Sequence, residues 1–448
     1  MLLPGAARAA ILTPRFSGAF ELELRNSRRF GLSSARMPRW ARQLLGPRDP
    51  SPPRTFASTG YTIIPPSEKV DEEKLEWYSP SSFYPVRIGE VFQDRYQVVS
   101  KLGYGSSATI WLCRDLRQHL YVALKVCMTN FPSVAREKAA FARLEPLKTV
   151  KFVQKSLGHF TVNGASGSVH ECFVLEALEF NINLCRAFLP GQLYDLILWR
   201  QVALEVIQAL DFLHSKANIV HGDLRHENIL MRGFNDKIFQ GMESVEAAQP
   251  SARKIDGDRV IHETPDRVPF PKDFKCAVLC DYGEARCSDA AGNVSYLQDI
   301  QPFPYRAPEV VLVIPWSYPV DIWNAGVMLW HLFENKCLFN PYDQERESNA
   351  IHLLEMMEVM GDPSPKFVRR SLSTDPNNSY FDDNGQWRLP SLRRKEQMSL
   401  ESQETRLEGK EKAEFLRFTR RMLQWEPEKR ATAAELLKDR WLLTGSVD

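Results

Sequence analysis

The most informative stretch of this chain is His221-Gly222-Asp223-Leu224-Arg225-His226-Glu227-Asn228-Ile229-Leu230. Asp223 stands five positions before Asn228, and apolar runs lie on both sides of the stretch. A loop of this kind suits a general base held beside a metal ligand, because a carboxylate accepts protons and an amide oxygen suits a hard cation. The spacing alone arises often by chance, so its meaning depends on the surrounding sequence.

A second acidic position follows an apolar run, at Val278-Leu279-Cys280-Asp281-Tyr282-Gly283. A carboxylate at the end of a strand, next to glycine, can coordinate Mg²⁺ through an oxygen. The alternative is an ordinary turn aspartate, and this segment by itself does not separate the two.

A glycine turn and a lysine lie upstream. The turn is Gly103-Tyr104-Gly105-Ser106-Ser107-Ala108-Thr109-Ile110, between two predicted strands. Glycines let backbone N–H groups approach phosphate oxygens closely, although a plain hairpin is the simpler interpretation. A Rossmann fold is excluded because no helix follows the turn. Lys125 ends the apolar strand Val122-Ala123-Leu124, and Glu137 on the next predicted helix can pair with it if that helix packs on the sheet.

The order of predicted elements, strands first and helices afterwards, indicates an α+β protein with two lobes. Short β-branched and apolar runs between turns predict antiparallel strands, and the later segments read as mostly helical. The predicted strands are 96–99, 108–112, 120–126 and 172–177, and the predicted helices are 134–144, 193–214, 320–334, 348–360, 413–424 and 432–437.

Taken in order, these motifs resemble the signature set of the eukaryotic protein kinases over residues 90–445. Tyr305-Arg306-Ala307-Pro308-Glu309, the segment 321–326 and Arg430 extend the series. Within that family the chain resembles the SR-protein-kinase-like enzymes of the CMGC group, and the short stretches 315–318 and 332–336 are similar to fungal members. The features behind this resemblance are the stretches 84–90, 110–112 and 299–301 and the long separation of Asn228 from Asp281. The resemblance implies a bilobal fold, with a small antiparallel-sheet N-lobe and a larger helical C-lobe.

The resemblance also implies ATP and Mg²⁺ as cofactors and gives the polar residues their roles. Lys125 would hold the α- and β-phosphates and be oriented by Glu137. Asp281 and Asn228 would bind Mg²⁺, and Asp223 would orient the substrate hydroxyl or accept its proton.

The nucleotide pocket implied by the resemblance consists of glycine, apolar and hinge residues. They are Gly103 and Gly105 at the phosphates, Ile110, Ala123 and Leu230 around the adenine, and a hinge from Glu176 to Leu178. The resemblance further implies a buried ion pair between Glu309 and Arg430, with Asp321 bracing the catalytic loop.

Several positions depart from the family pattern. Ala108 replaces the third glycine of the turn, and Tyr282 replaces a phenylalanine. Gly222 replaces the arginine that in many kinases binds a phosphate on the activation segment, which corresponds here to residues 281–309, so we expect activity without that phosphorylation. Arg225 replaces a lysine, and we expect it to neutralise phosphate charge although arginine is bulkier and planar. SR-protein kinases usually lack the Ala-Pro of segment 307–309, so a preference for Arg-Ser repeats is left open.

The function predicted from these residues is that of an ATP-dependent serine/threonine protein kinase. Its expected partners are Ser/Thr-containing proteins, with Arg/Ser-rich substrates as one candidate class. The main alternative is a pseudokinase scaffold, whose hallmark would be loss of Lys125, Asp223 or Asp281; all three are present, although the departures above keep this alternative open. A small-molecule phosphotransferase shares the Asp-x-x-x-x-Asn spacing but leaves the segments 307–309 and 321–326 unexplained.

Composition narrows the class of protein. The 448 residues include 57 Lys plus Arg and 56 Asp plus Glu, for a net charge of +1, which favours neither nucleic acid nor an anionic membrane as a direct partner. Eight cysteines without a CxxC pair predict neither a zinc ribbon nor a disulfide framework. No apolar run is long enough to span a bilayer, so we expect a soluble, monomeric, intracellular protein.

Residues 1–57 contain ten arginines, no lysine and three acids. An Arg-rich, acid-poor, Ser-containing start is typical of a mitochondrial transit peptide, with processing after Phe56. A disordered basic tail and a misassigned start codon are the alternatives, and without import we expect the cytoplasm and nucleus. We divide the chain into the targeting-like segment 1–57, a linker 58–90 and a kinase domain 91–445, with N-lobe 91–178, C-lobe 179–445 and an inserted loop 236–273.

Overall fold

The computed structural model describes residues 49–445 apart from 149, 165–166, 266–274, 290–293, 375–379, 383 and 393–397. The chain divides into two units, residues 1–50 and 51–448, and the fold below is that of the second. Residues 1–48 of the predicted targeting-like segment 1–57 lie outside the described residues, so its role stays a prediction.

Strands come first and helices dominate afterwards. The strands are β1 (Val91–Phe92), β2 (Tyr96–Tyr104), β3 (Ala108–Asp115), β4 (Leu120–Cys127), β5 (Ser156–Asn163), β6 (Val169–Glu176), β7 (Ile219–Val220), β8 (Ile229–Arg232), β9 (Arg253–Asp256), β10 (Arg259–His262), β11 (Cys276–Leu279), β12 (Arg286–Cys287), β13 (Tyr342–Asp343) and β14 (Arg346–Glu347). The α-helices are α1 (Pro132–Leu144), α2 (Ile182–Cys185), α3 (Leu196–Phe212), α4 (Lys237–Ala248), α5 (Pro308–Val311), α6 (Pro319–Glu334), α7 (Asn349–Met360), α8 (Pro365–Thr374), α9 (Leu400–Gln403), α10 (Gly409–Met422), α11 (Ala433–Leu436) and α12 (Arg440–Thr444). None of the described helices is both long and apolar enough to span a bilayer.

An antiparallel sheet of six strands, in the order β1-β2-β3-β4-β6-β5, forms the first lobe. Its strands are rich in β-branched and aromatic residues, which fit a pleated, largely buried surface. Val98, Leu124 and Val174, from β2, β4 and β6, belong to one buried cluster. The antiparallel sheet predicted for the first lobe of the α+β fold is therefore confirmed.

Helix α1 packs against this sheet. Proline is tolerated at its first position, because the first N–H groups of a helix have no partner within the helix. Phe141 and Leu144 are buried, and the Phe141 ring lies 5.2 Å from the ring of Phe173 on β6. Glu137, one turn earlier on the same face, is carried to the sheet by this packing.

The second lobe is built around helices α3 and α6. Both are apolar on most sides, which is typical of helices at the centre of a large core. Trp199 on α3 is buried, and its indole N–H donates a 2.8 Å hydrogen bond to the backbone oxygen of Leu329 on α6. Asp321 and Asn324 are buried polar residues on α6, and both contact the catalytic loop.

Two antiparallel strands, β8 and β11, bring distant parts of the sequence together. Their register pairs Ile229 with Leu279. Asn228 directly precedes β8 and Cys280 directly follows β11, and the Cys280 N–H donates to the Asn228 oxygen at 2.8 Å. The pairing thus places Asn228 and Asp281 at the same end of the two strands.

The regions predicted as a linker and an inserted loop contain regular structure. Residues 58–90 include 3₁₀ helices at Asp71–Lys74 and Pro80–Ser82. The described part of 236–273 forms helix α4 and the β9–β10 hairpin. Helix α4 packs its apolar face on β2 and β3, in one cluster with Val99 and Leu112. The domain boundaries themselves stay predictions.

Candidate active site

The residues singled out in the sequence line one cleft between the two lobes. They are Gly103, Gly105, Ile110, Ala123, Lys125, Glu137, Glu176, Leu178, Asp223, Arg225, Asn228, Leu230 and Asp281. They come from the β2–β3 turn, β4, α1, the β6 end, the loop before β8, β8 itself and the residue after β11.

Lys125 is held between two carboxylates. Its Nζ lies 2.8 Å from Glu137 Oε1 and 3.2 Å from Asp281 Oδ1, and the Lys125 and Glu137 side chains are both buried. Burial alone would lower the pKa of Lys125, but Asp281 and Glu137 raise it above its usual value. Lys125 is therefore a fixed positive charge at the back of the cleft.

Asp281 reaches the cleft through an uncommon backbone conformation. Its φ is +63°, a left-handed value that costs about 1–2 kcal/mol for a residue other than glycine. Its Oδ1 accepts the N–H of Gly283 at 3.1 Å, and 46% of its side chain is exposed to the cleft. Desolvation raises the pKa of Asp281, but Lys125 and that N–H outweigh it and hold the pKa below its usual range. The carboxylate is thus ionised, fixed and open to a cation.

Asp223 and Asn228 hydrogen-bond to each other. The Asn228 side-chain nitrogen donates to the backbone oxygen and to Oδ2 of Asp223, both at 2.8 Å. Because this fixes the amide group, its Oδ1 is the Asn228 atom suited to a metal ion. Desolvation raises the pKa of Asp223 to about 7, with the Asp281 charge adding to it, although Arg225 and Asn228 act in the opposite direction.

Asp321 on α6 fixes the loop that carries Asp223. Its Oδ2 accepts the His221 N–H at 2.7 Å and its Oδ1 accepts the Gly222 N–H at 2.9 Å. Asn324, one turn later, bonds both backbone groups of Leu224. The bracing role that the resemblance implied for Asp321 is therefore confirmed.

Gly222 is required by the backbone of this loop. Its φ is +76°, and a Cβ at this position would lie 2.8 Å from the backbone oxygen of Glu284. The sequence showed the missing arginine at this position but not the reason for it. The reason is a close approach between the catalytic loop and the segment after Asp281.

Arg225 lies at the mouth of the cleft. Its Nε is 3.2 Å from Glu227 Oε2, and both side chains are about half exposed, at 43% and 48%. Its charge lowers the pKa of Asp223, so it is close enough to act on that carboxylate. An exposed pair of this kind is weak, which leaves the guanidinium available to a phosphate.

Apolar residues form the remaining walls of the cleft. Ile110, Ala123 and Leu230 face it together with the strand end at Glu176 and Leu178. Glu176 itself pairs with Arg232 at 2.6 Å, so its backbone is the part suited to bind a ligand at the hinge. Three further wall residues, which the sequence did not indicate, come from helix α4: Ile238, Phe239 and Met242.

Gln301 anchors the segment that follows Asp281. Its backbone N–H donates to the Gly222 oxygen at 3.0 Å. Its side-chain nitrogen donates to the Val320 oxygen at 2.8 Å, and its side-chain oxygen accepts the Ala307 N–H, also at 2.8 Å. The sequence marked Gln301 only as a family feature, since no local pattern shows which side chain will bridge two loops and a helix.

The ion pair between Glu309 and Arg430 is confirmed. The guanidinium bonds both carboxylate oxygens, at 2.5 and 2.6 Å, and both side chains are fully buried. A bidentate pair without solvent fixes the chain after the activation segment to the end of the second lobe.

Comparison with known proteins agrees with this geometry. A family model described as a protein kinase domain matches residues 96–442. An Aspergillus fumigatus protein named as a serine/threonine protein kinase is 38% identical over 408 residues, which cover 88% of this chain and 96% of that protein. A Physarum polycephalum protein named serine/threonine-protein kinase SRPK is 28% identical over 396 residues, covering 82% of this chain and 90% of the other. A crystal structure described as a kinase domain matches with a TM-score of 0.61 at 21% identity, covering 81% of this chain and 99% of that one.

Proposed function

This chain belongs to the protein kinase family, and we propose that it is an active serine/threonine kinase that transfers the γ-phosphoryl group of ATP to protein hydroxyl groups. One observation carries the proposal: Lys125 Nζ is 2.8 Å from Glu137 and 3.2 Å from Asp281 in a cleft that also holds Asp223 and Asn228. Loss of Lys125, Asp223 or Asp281 would be the hallmark of a pseudokinase, and the chain retains all three.

The donor set fits ATP with Mg²⁺. A half-exposed carboxylate on Asp281 and an amide oxygen on Asn228 are the hard oxygen ligands that Mg²⁺ prefers, and the turn from Gly103 to Gly105 offers backbone N–H groups to phosphates. Bound Mg²⁺ supplies neutralisation of the charge on the transferred phosphoryl group. The chain's own contribution is to hold these ligands in place through Lys125 and Asp321.

Asp223 orients the substrate hydroxyl and accepts its proton at a carboxylate oxygen. Asn228 occupies the Oδ2 side of the carboxylate, so Oδ1 is the oxygen suited to that task. A pKa of about 7 suits a group that takes up and releases a proton near neutral pH.

Arg225 supplies positive charge beside Asp223. We propose that its guanidinium, which pairs with the exposed Glu227, turns to the γ-phosphate when substrate binds. An interaction that strengthens as charge develops in the transition state raises kcat. An interaction of equal strength in the ground state and the transition state only lowers KM.

The activation segment is proposed to be ordered without phosphate. Gly222 has no side chain to bind one, and Gln301 already ties the segment to the catalytic loop and to α6. Arg143 adds hydrogen bonds of 3.0 Å to the hydroxyl and backbone oxygens of Ser288. Packing and hydrogen bonds from Gln301 and Arg143 thus replace the contacts that a phosphate makes in other kinases.

The substrate class is proposed to be Ser/Thr-containing proteins, with Arg/Ser-rich sequences tested first because one relative is named SRPK. The active form is proposed to be a monomer that needs no nucleic acid. Import into mitochondria through residues 1–56 is proposed from their composition, and a fusion of residues 1–70 to a fluorescent reporter tests it. A diffuse reporter without a processed form would instead favour the cytoplasm and nucleus.

Radiometric assay of the purified chain against a peptide array tests the kinase proposal. Asp223→Asn is the matched control, since it removes the proton acceptor and keeps the shape of the side chain. We expect transfer by the wild-type chain and loss of transfer in Asp223→Asn with an unchanged melting temperature. Lys125→Met should also lose transfer while the domain stays folded, at a lower melting temperature because Glu137 loses its buried partner. Equal labelling by wild type and Asp223→Asn would contradict the assignment, and nucleotide binding without any transfer would favour the pseudokinase.

A further inference from the structure

A tryptophan outside the predicted kinase domain contacts the glycine turn. The indole N–H of Trp77 donates a 3.0 Å hydrogen bond to the backbone oxygen of Ser106. Ser106 lies at the tip of the turn between β2 and β3, the part of the cleft suited to phosphates. The turn also has its own bonds, from Gly105 N–H to Ala108 oxygen and from Met128 N–H to Ser107 oxygen. Trp77 adds a contact from a segment that precedes the sheet in sequence.

Buried ion pairs fix the segment that carries Trp77. Lys101 on β2 has no exposed side-chain surface, and its Nζ lies 3.0 Å from Asp71 and 2.5 Å from Glu72. The same Nζ donates to the backbone oxygen of His262 on β10 at 2.8 Å. Buried charges are stable only when they are paired and hydrogen-bonded, so these contacts hold the 3₁₀ helix Asp71–Lys74 tightly to β2.

The β9–β10 hairpin holds the same segment from its other side. Lys254 Nζ bonds the two carboxylate oxygens of Glu73 at 2.9 and 3.1 Å. Ile64 and Val70 form a small buried cluster with Ile261. The segment 61–90 and the hairpin are therefore one packed unit, which we name the cap.

The cap holds β2 just before the glycine turn and contacts the turn itself at its tip. Lys101 stands two residues before Gly103, where β2 enters the turn, and Trp77 reaches the tip. An element held at its base and its tip samples fewer conformations than a turn held at its base alone, so less entropy is lost when a ligand orders it.

We propose that Trp77 is a positioning residue for the glycine turn, which it holds over the nucleotide phosphates, with the cap as its rigid support. The proposal rests on the proposed function, because it requires that the cleft bind ATP. Trp77 would then affect binding of the phosphate part of the ligand and not of the adenine part.

Calorimetric titration of the full chain with Mg²⁺ and the non-hydrolysable analogue AMP-PNP, and separately with adenosine, tests this. Trp77→Phe keeps an aromatic ring and removes the N–H. A neutral hydrogen bond of this kind is worth about two- to tenfold in an equilibrium, so we expect AMP-PNP affinity to fall by that factor and adenosine affinity to stay the same. Tyr78→Phe is the matched control, because the Tyr78 hydroxyl has no hydrogen-bond partner within the described residues; we expect it to bind both ligands like wild type.

A double-mutant cycle tests the role of the cap as support. Glu73→Gln weakens the contact with Lys254, and we expect its effect on AMP-PNP affinity to be smaller in the Trp77→Phe background than in wild type, since coupled positions are not additive. Full additivity would overturn the supporting role of the cap.

Three results overturn the positioning role of Trp77: wild-type AMP-PNP affinity in Trp77→Phe, an equal loss for adenosine, or tighter AMP-PNP binding. The proposed function fails separately, if the wild-type chain does not bind Mg²⁺ with AMP-PNP at all, and that result overturns both.

Discussion

Replacing Gly222 with alanine tests how the catalytic loop is held, because two independent features exclude a side chain there. Its φ is +76°, and its Cβ would lie 2.8 Å from the Glu284 oxygen. The left-handed conformation costs about 1–2 kcal/mol for alanine, and the contact forces one backbone to shift. That shift disturbs the hydrogen bonds of Gly222 to Asp321 and Gln301, each worth about 0.5–1.5 kcal/mol. We therefore expect the free energy of unfolding to fall by about 2–5 kcal/mol.

Gly257 provides a matched control for the backbone effect. It lies in the turn between β9 and β10 with φ +56°, and nothing stands within 4 Å of its Cβ position. Gly257→Ala should lower the free energy of unfolding by only about 1 kcal/mol and leave kcat/KM unchanged. Gly222→Ala should lower kcat by about ten- to a hundredfold, equivalent to about 1.4–2.8 kcal/mol in the barrier.

Urea unfolding followed by fluorescence and steady-state kinetics on one peptide measure both effects of the Gly222 substitution. The reasoning is refuted if Gly222→Ala and Gly257→Ala lose the same stability and both keep the wild-type kcat/KM. Gly222→Arg, which restores the residue usual in the family, should be at least as impaired as Gly222→Ala, because the Cβ is the source of the conflict.

Three further experiments, each with its own control variant, test the remaining assignments. Arg225→Ala should lower kcat about tenfold or more with a much smaller change in KM for ATP, and Arg225→Lys should restore most of it; a change in KM alone would make Arg225 a ground-state contact. Glu309→Gln leaves Arg430 buried without its partner charge and should cost about 3–5 kcal/mol in urea unfolding, whereas Glu428→Gln at an exposed pair should cost less than about 1 kcal/mol. Phosphatase treatment confirmed by mass spectrometry should leave kcat/KM within about twofold, while Gln301→Ala should lower it about tenfold, and a tenfold fall after dephosphorylation would show that a phosphate orders the segment.

Periodic apolar patterns predicted the central elements of the fold well. The predicted helix 320–334 corresponds to Pro319–Glu334, and 348–360 corresponds to Asn349–Met360. Strand Ser156–Asn163 was not predicted because it lies at the sheet edge, alternates between half-buried and exposed positions, and contains glycine. Such a strand carries too few apolar residues for its periodicity to be recognised.

Sequence order predicted which residues meet in the cleft, but not how the loops between them are fixed. The motifs around Asp223 and Asp281 could be recognised because their chemistry is concentrated in a few neighbouring positions. The contacts of Gln301 and the strain at Gly222 depend on segments separated by some eighty and sixty residues, and no local pattern encodes a distance between backbones. Asp321 was predicted only through the family resemblance.

The acidic run Asp71-Glu72-Glu73 shows why the cap was not foreseen. Three consecutive acids before a lysine are typical of a solvated surface, and the four prolines, several serines and weak periodicity of residues 58–90 predict a linker. In the fold these acids are buried, because Lys101 and Lys254 neutralise them from β2 and β9. Neither lysine lies in a predicted strand, since Lys101 follows the predicted strand 96–99 and Lys254 lies in the predicted inserted loop 236–273. The three acids and the two lysines are stable in the interior only because they pair with each other, since an unpaired buried charge costs several kcal/mol. The same dependence couples the two parts of the cap, because without the hairpin Glu73 would lose Lys254, its buried partner.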